Sequence, residues 1–479
     1  MHILQINTAD IAGGAEAVAW QLLHAYRRLG HDSQLVVGLK RSTDPDVISL
    51  LREECRGPWA RGWQRIGDTF RPLEGRVRGA SRLRRLCTSA IGQPVRAFNI
   101  WRGREDFAFP EIWRMNERLR TTPDIVQCHN LHGAWLPSGG YFDLEALPWL
   151  SRRIPLILTL HDAWLLSGHC AHSFGCDRWK KGCGGCPDLT IYPSIRRDAT
   201  AYNWRRKQTI FGQSRVFVST PCHWLMRRVQ ESMLAPAVIS SRVIPNGVDL
   251  SVFQHAEKRQ AREDLGLPQQ AKVLFFVAHG VRGNIWKDYA TMKEAVRMVA
   301  AHLRGQEVIF LALGEEGDWE ESGEGRIRFV PFENDQRKVA RYYQAADIYV
   351  HAARADTFPN TVLEALACGL PVIATAVGGI GEQVLEGQTG FLVPAGDAAG
   401  MAGRIVQLLR QPALLAGYGR RAEQDARQRF DVRRQVTAYL EWFEEILMGD
   451  RQGAIHPQED SPMGGTDGYD KRAASRALG

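Results

Sequence analysis

Nowhere in the 479 residues is there a run of eighteen or more uncharged apolar residues. That is about the length a helix needs to cross a bilayer, so no spanning helix is expected. Cysteine is scarce, nine residues spread through a large chain. An odd, dilute set argues against a disulfide framework and for a reducing compartment. The opening residues, Met1-His-Ile-Leu-Gln-Ile-Asn7, lack the basic start and cleavage site of a signal peptide and read as a buried strand. The expected location is cytoplasmic. With 44% hydrophobic and 24% charged residues the composition is that of a globular protein, and the length exceeds what one core supports, so two domains are expected.

Lysine is missing altogether from residues 51–120, which hold sixteen arginines against eight acids and so match the whole formal net charge of +8. The segment also carries Trp59, Trp63, Trp101 and Trp113. Leu50, Leu51, Trp59, Trp63, Ile66 and Phe70 are expected on one helix face, with Arg56, Arg61, Arg65 and Arg71 off it. No nucleic-acid motif accompanies these residues, so nucleic acid is not expected as a partner. Cations interleaved with aromatics suit an anionic membrane surface, peripheral to the inner face. The competing reading is a solvated insertion packed on the N-terminal domain.

What is present is a repeated strand–loop–helix pattern. Residues 3–7 read as a strand, Asp10-Ile-Ala-Gly-Gly-Ala-Glu16 as a glycine turn into a helix closed by Gly30, and Leu35–Val37 as the next strand. This is the opening of a Rossmann-like half. At Gly13 and Gly14 the backbone can approach a phosphate or sugar closely. Pro123-Asp-Ile-Val-Gln-Cys-His129-Asn-Leu-His132 is a strand running into a loop, and the strand 154–160 delivers His161-Asp162 to the same sheet edge. Between them and the last strands of this half lies Cys170-x5-Cys176-x6-Cys183-x2-Cys186, flanked by His169 and His172. Four thiols so spaced offer a tetrahedral set for a structural zinc, with a disulfide pair as the alternative.

A second Rossmann-like half opens at Val273–Ala278. The loop after it carries Arg282 and Lys287, two cations at a strand's carboxyl end that could neutralise a diphosphate leaving group. Asp347–Val350 is a further strand. From Thr361 a helix is expected with Val362, Leu363, Ala365 and Leu366 inward and Gly369 closing it. The unpaired amides of that helix start, after Asn360, suit a diphosphate. Glu364 is placed to accept hydrogen bonds from ribose hydroxyls, and Asp356 to face whatever sugar the phosphate carries.

The stretch Ala355-Asp-Thr-Phe-Pro-Asn-Thr-Val-Leu-Glu-Ala-Leu-Ala-Cys-Gly-Leu-Pro-Val, with Gly378-Gly-Ile-Gly-Glu382 after it, resembles the acid–seven–acid motif of family 4 retaining glycosyltransferases of the GT-B fold. Asp356 stands where that family more often has Glu, and Asp288 where it has Gly. The resemblance implies an α/β fold of two Rossmann-like domains facing across a cleft. The N-terminal acceptor domain would span 1–248, with inserts at 51–120 and 168–188, and a linker 249–270. The nucleotide-sugar domain would span 271–429 and a helix at 430–448 would cross back; from 449 the polar, Gly-, Asp-, Ser- and Pro-containing composition itself predicts a disordered tail. It implies transfer of a sugar from a nucleotide diphosphate sugar to a hydroxyl of a glycan or lipid-linked saccharide, in polysaccharide biosynthesis, with no cofactor required. Similar Cys-rich inserts occur in colanic-acid-type members. The implied catalytic residues are His129, Asp356, Arg282 and Lys287. Donor binding would use these cations and Asp356 with Gly14, Phe358, Pro359, Asn360, Thr361 and Glu364. His132 and His161 are placed toward the acceptor or sugar. The alternatives are a GT-B epimerase, a phosphorylase (for which no pyridoxal lysine site is evident) and a non-catalytic nucleotide-sugar sensor.

Overall fold

The first strand, β1 (His2–Ala9), is buried at every position, as a strand covered on both faces must be. Its side chains alternate between two apolar clusters. Ile3 packs with Leu22, Tyr26 and Phe443, while Leu4 and Ile6 join the opposite face with Val126 and Leu158. This is a computed structural model, and it describes residues 1–11, 13–50, 57–136 and 138–451.

Around β1 stand β2 (Asp32–Leu39), β3 (Val47–Ser49), β4 (Ile125–Cys128), β5 (Leu156–Thr159), β6 (Val216–Thr220) and β7 (Val238–Val243). Their order is β3-β2-β1-β4-β5-β6-β7, and every pairing is parallel. The second sheet contains β8 (Lys272–Val277), β9 (Val308–Leu313), β10 (Glu320–Ser322), β11 (Gly325–Val330), β12 (Ile348–His351), β13 (Val372–Thr375) and β14 (Gly390–Val393). Its order is β10-β11-β9-β8-β12-β13-β14, parallel except for the β10–β11 hairpin. Both sheets reverse strand order beside their first strand, which opens a crevice at the carboxyl edge where ligands bind in folds of this kind.

The two halves are joined twice. Val248 donates to the Phe430 carbonyl (2.7 Å) and accepts from the Val432 amide (3.1 Å), so the outgoing and returning chain cross side by side. The helix Val432–Arg451 then lies on the first sheet. Tyr439, Trp442 and Phe443 pack against Ile3, Ile157 and Phe217, and the Tyr439 hydroxyl meets Ser219 Oγ at 3.0 Å. The helix runs on through residues 449–451, the start of the tail expected to be disordered, and the rest of that tail lies outside the described residues.

The arginine-rich segment departs from the single helix face expected of it. Its first helix starts only at Pro58 and runs to Asp68, after Gly57, and short helices follow at Ala80–Arg85 and Pro94–Trp101. Leu50 is a core residue following β3 and belongs to no such face, and Leu51 and Arg56 lie outside the described residues. Trp59 is 62% exposed, and Ile66, Leu73, Val77, Leu83, Val95 and Phe98 are exposed as well. The segment is moored at its far end. Glu105 forms an ion pair with the fully buried Lys207 (3.0 Å) and accepts from Trp164 Nε1 (2.6 Å). No helix among the described residues is long and apolar enough to cross a membrane.

Candidate active site

The chemistry gathers where β8 and β12 end. β12 delivers His351, wholly buried, and the loop after it carries Asp356. The loop after β8 returns against β12 through an antiparallel bridge between Lys287 and Ala353. The Trp286 carbonyl there accepts from the Arg354 amide (2.9 Å) and the Ala355 amide (3.3 Å). These clips bring Lys287 Nζ onto Asp356 Oδ2, an ion pair shared with His351 Nε2 at 3.2 Å from the carboxylate and 3.3 Å from the ammonium. Burial by itself would raise the Asp356 carboxyl, but Lys287 and His351 override it and hold it well below the usual carboxylate range. Burial and the Lys287 ammonium push His351 down to about 4, so its ring is neutral at pH 7.

Gly378 explains the glycine pair that follows β13. Its φ of +58° lies in the left-handed region, and a Cβ there would fall inside the Asp356 carbonyl oxygen. Only glycine lets the 378–382 turn close against the Asp356 loop. Glu382, at the end of that turn, reaches across to the first half and accepts from the amides of His223 (2.8 Å) and Trp224 (2.7 Å). It caps the helix His223–Gln230 from another domain.

The helix expected from Thr361 runs over Asn360–Ala367, with Val362, Leu363, Ala365 and Leu366 buried. Asn360 bridges the halves, donating to the Gly14 carbonyl (3.3 Å) and accepting from Asn246 Nδ2 (2.9 Å). Gly14, the first residue of the helix Gly14–Arg28, has open space where a Cβ would stand. Glu364 accepts from the Tyr343 hydroxyl (2.7 Å), and burial raises its carboxyl to about 7 against that bond. Phe358 does not face the opening. Its ring stands against Phe430 in the core, and Pro359 is buried with it, so they shape the loop as packing residues.

Arg282 and Lys287 are not side by side. Arg282 pairs with Glu315, which also accepts from the Val281 and Arg282 amides (2.7 and 2.8 Å), and its guanidinium lies 4.3 Å over Phe329. Asp288, where the resembled family has Gly, caps the helix Tyr289–His302, accepting from the Thr291 amide (3.3 Å) and hydroxyl (2.8 Å).

On the facing edge, His129, His132, His161, Asp162 and Trp164 line one small cavity. His129 is nonetheless only 2% exposed, because its amide still bonds the Ile6 carbonyl (2.8 Å) and keeps it within the sheet. Its Nε2 meets Gln5 Oε1 (2.9 Å) and its Nδ1 meets His161 Nε2 (3.0 Å), the two rings lying stacked. Burial lowers both histidines, His161 to about 4. The ring expected to orient the sugar, His129, is therefore buried within the sheet and meets the less buried His161 through Nδ1. His132 Nε2 pairs with Asp162 (2.6 Å) and its Nδ1 with the Tyr192 hydroxyl (3.2 Å). Near them lies buried Glu16, its carboxyl raised by burial.

The four clustered cysteines are free thiols, each half-buried. Among the described residues, no three His, Cys, Asp or Glu side chains converge as a metal-ion site. The structure therefore does not gather Cys170, Cys176, Cys183 and Cys186 into the zinc tetrahedron expected of their spacing. Within the cluster His169 Nε2 meets Cys186 Sγ at 3.4 Å.

Sequence reasoning missed His351, Glu315, Tyr343 and Glu16. His351 comes directly after the apolar run Ile348-Tyr-Val350, and nothing in the sequence sets it apart. Glu315 comes two residues after β9 ends at Leu313, and its place after a strand was the one available signal.

Residues 12–252 match the family model described as Glycosyltransferase Family 4, and residues 271–411 match Glycosyl transferases group 1. The putative colanic acid biosynthesis glycosyl transferase WcaC of Escherichia coli K12 is 27% identical over 386 residues, covering 78% of this chain and 83% of that protein. A D-inositol 3-phosphate glycosyltransferase of Catenulispora acidiphila is 34% identical over 194 residues, 38% of this chain and 45% of its own. Among solved structures, HepE of Anabaena in complex with UDP-glucose superposes with a TM-score of 0.57 at 17% identity, covering 93% of this chain and all of that one. Sucrose-phosphate synthase of Thermosynechococcus elongatus does so with a TM-score of 0.55 at 18% identity, covering 94% and 99%. With both halves matched and the fold shared, the chain belongs to glycosyltransferase family 4 and is a glycosyltransferase of the GT-B type.

Proposed function

We propose that the protein transfers a sugar from a nucleotide diphosphate sugar to a hydroxyl of a glycan or lipid-linked saccharide, with retention of anomeric configuration, in polysaccharide assembly. The observation that carries this reading is the Lys287–Asp356–His351 cluster set beside the helix start at Asn360, with Glu364 one turn further on. The helix amides and Lys287 would receive the diphosphate, joined by Arg282 once it leaves Glu315. Glu364 would accept the ribose hydroxyls and Asp356 would face the sugar, with His161 opposite. As the glycosidic bond breaks, charge grows on the leaving phosphate, and these fixed cations favour that state over the ground state. In a front-face transfer the leaving phosphate oxygen takes the acceptor's proton, so no separate base is assigned. The UDP-glucose complex of HepE and the colanic acid relative support a nucleotide-sugar donor and a polysaccharide product.

The acceptor reading extends to the arginine-rich segment, whose exposed Trp59, Val77, Leu83 and Phe98 alternate with exposed Arg61, Arg71, Arg78 and Arg82. Apolar side chains at headgroup depth among cations suit an anionic membrane bearing a lipid-linked acceptor. The test is a transfer assay crossing a panel of nucleotide sugars with lipid-linked saccharides, with the product anomer read by NMR. Transfer with inversion, or none from any donor, overturns the proposal.

A further inference from the structure

The cysteine-rich insert sends the loop 170–176 into the opening between the halves, where it touches both walls. His172 stacks on Trp224 of the first half (5.4 Å, 13°) and stands 6.4 Å from Trp286 of the second. Phe174 lies flat on Trp286 (5.5 Å, 6°) and holds a φ of +46°, a left-handed backbone costly for a residue with a Cβ. Both platforms belong to the site already described. Trp224 gives its amide to Glu382, and Trp286 clips the chain before Asp356 and immediately precedes Lys287. The Ser173 hydroxyl accepts from Arg228 (2.8 Å), whose guanidinium lies 4.4 Å over the Trp224 ring. His172 lies within electrostatic reach of Asp356 on one wall and Asp162 on the other.

One nitrogen of that ring is accounted for. The Phe174 amide donates to Nδ1 (3.0 Å), so Nδ1 carries no proton and the proton of the neutral ring is on Nε2. Nε2 itself is buried and has no hydrogen-bond partner. A buried N–H left unpaired costs free energy, and such a group at a cleft points to a ligand that completes it.

We propose that His172 is a sugar-contacting residue of this enzyme, its Nε2–H donating to a hydroxyl of the hexose that Asp356 faces. The inference rests on the donor-site reading above. It gives the cysteine-rich insert a role in choosing the sugar, with Phe174 and Ser173 fixing the loop that presents the imidazole.

The test uses full-length protein and calorimetric titration with UDP, GDP, UDP-glucose, UDP-galactose and GDP-mannose. Two variants separate contact from scaffolding. His172→Asn can keep an acceptor where Nδ1 stands but is too short to place a donor where Nε2 stands, whereas His172→Gln keeps an amide donor there. The expected result is that His172→Asn weakens the preferred nucleotide sugar about tenfold, the worth of one hydrogen bond. It leaves the matching nucleoside diphosphate within about twofold, and His172→Gln recovers most of the loss. Equal loss for sugar-bearing and sugar-free ligands, no loss at all, or rescue by Asn instead of Gln overturns the inference alone. A wild type that binds none of the five ligands overturns the donor-site reading and this inference with it.

Discussion

Replacing Glu364 by Gln should stabilise the empty protein and weaken the donor complex, and both effects have one cause. Burial raises this carboxyl from 4.5 to about 7. The folded chain therefore keeps the proton up to about pH 7, while the unfolded chain releases it near 4.5. Between those values the folded state binds more protons, so stability falls as pH rises through the window, and the full penalty applies above it. The gap from 4.5 to about 7, at about 1.4 kcal/mol per pH unit, sets a ceiling of about 3.5 kcal/mol. The side chain is not fully enclosed, so about 2 kcal/mol is expected after solvent screening.

Gln does not titrate and its amide oxygen can still accept the Tyr343 hydroxyl, which lies 2.7 Å from the carboxylate in the native chain. Thermal denaturation should show the Gln variant equal to the native protein near pH 4.5 and pulling ahead by several degrees by about pH 8, at about 2–4 °C per kcal/mol. Hydrogen bonds from ribose to a charged acceptor are worth about 1.5–3 kcal/mol, so donor Kd should rise about 10- to 100-fold in the variant. Native donor affinity should itself strengthen as pH climbs through about 7. A stability gain independent of pH would refute the burial argument, and unchanged donor affinity would refute the ribose assignment.

Lys287→Ala should lower kcat by about 100-fold or more with a smaller change in donor Kd, because the cation acts most on charge that develops during bond breaking; equal losses in both would mean uniform binding. Lys207→Met should strand the buried Glu105 carboxylate and cost about 3–5 kcal/mol, seen as a large fall in Tm near neutral pH; a neutral outcome would mean the pair is replaceable by packing. Glutamine at Arg61, Arg65, Arg71, Arg76, Arg78, Arg82 and Arg85 should abolish salt-sensitive co-sedimentation with anionic vesicles while leaving donor hydrolysis intact. Equal binding of the native chain to neutral vesicles, or none, would return the segment to a solvated elaboration.

The segment 347–382 was legible because several local signals coincide there: a buried strand run, a proline turn, a 3.6-residue apolar stripe and a glycine pair. Its two acids fell where spacing placed them. Depth relative to the cleft was not legible. His129 follows a strand in sequence, but its amide continues the ladder to Ile6, so its side chain is buried against His161, one strand over. Side-chain pairing was equally hidden. Spacing puts Arg282 and Lys287 on one loop, yet their acids come from different strands, Glu315 after β9 and Asp356 after β12. Periodicity failed between 58 and 101, since a segment whose apolar residues stay exposed has no core face to repeat.

Those two ion pairs bear on how the site could work at all. A free diphosphate pocket holding two unpaired cations would repel itself and order poorly. Here each cation is already held by a carboxylate and fixed in place, Lys287 also by His351 and Arg282 by Phe329. On the proposed reading a donor exchanges partners instead of creating them: its phosphates take the cations, and Asp356 and Glu315 are released. For Asp356 that release is useful, because its loop is pinned by Gly378 and the Trp286 carbonyl and cannot follow the ammonium. It stays negative beside neutral His351, facing the sugar whose anomeric carbon turns cationic as the bond breaks. The shorter Asp, set where the resembled family more often has Glu, suits this arrangement, since it already spans the distance to both Lys287 and His351 in the free site.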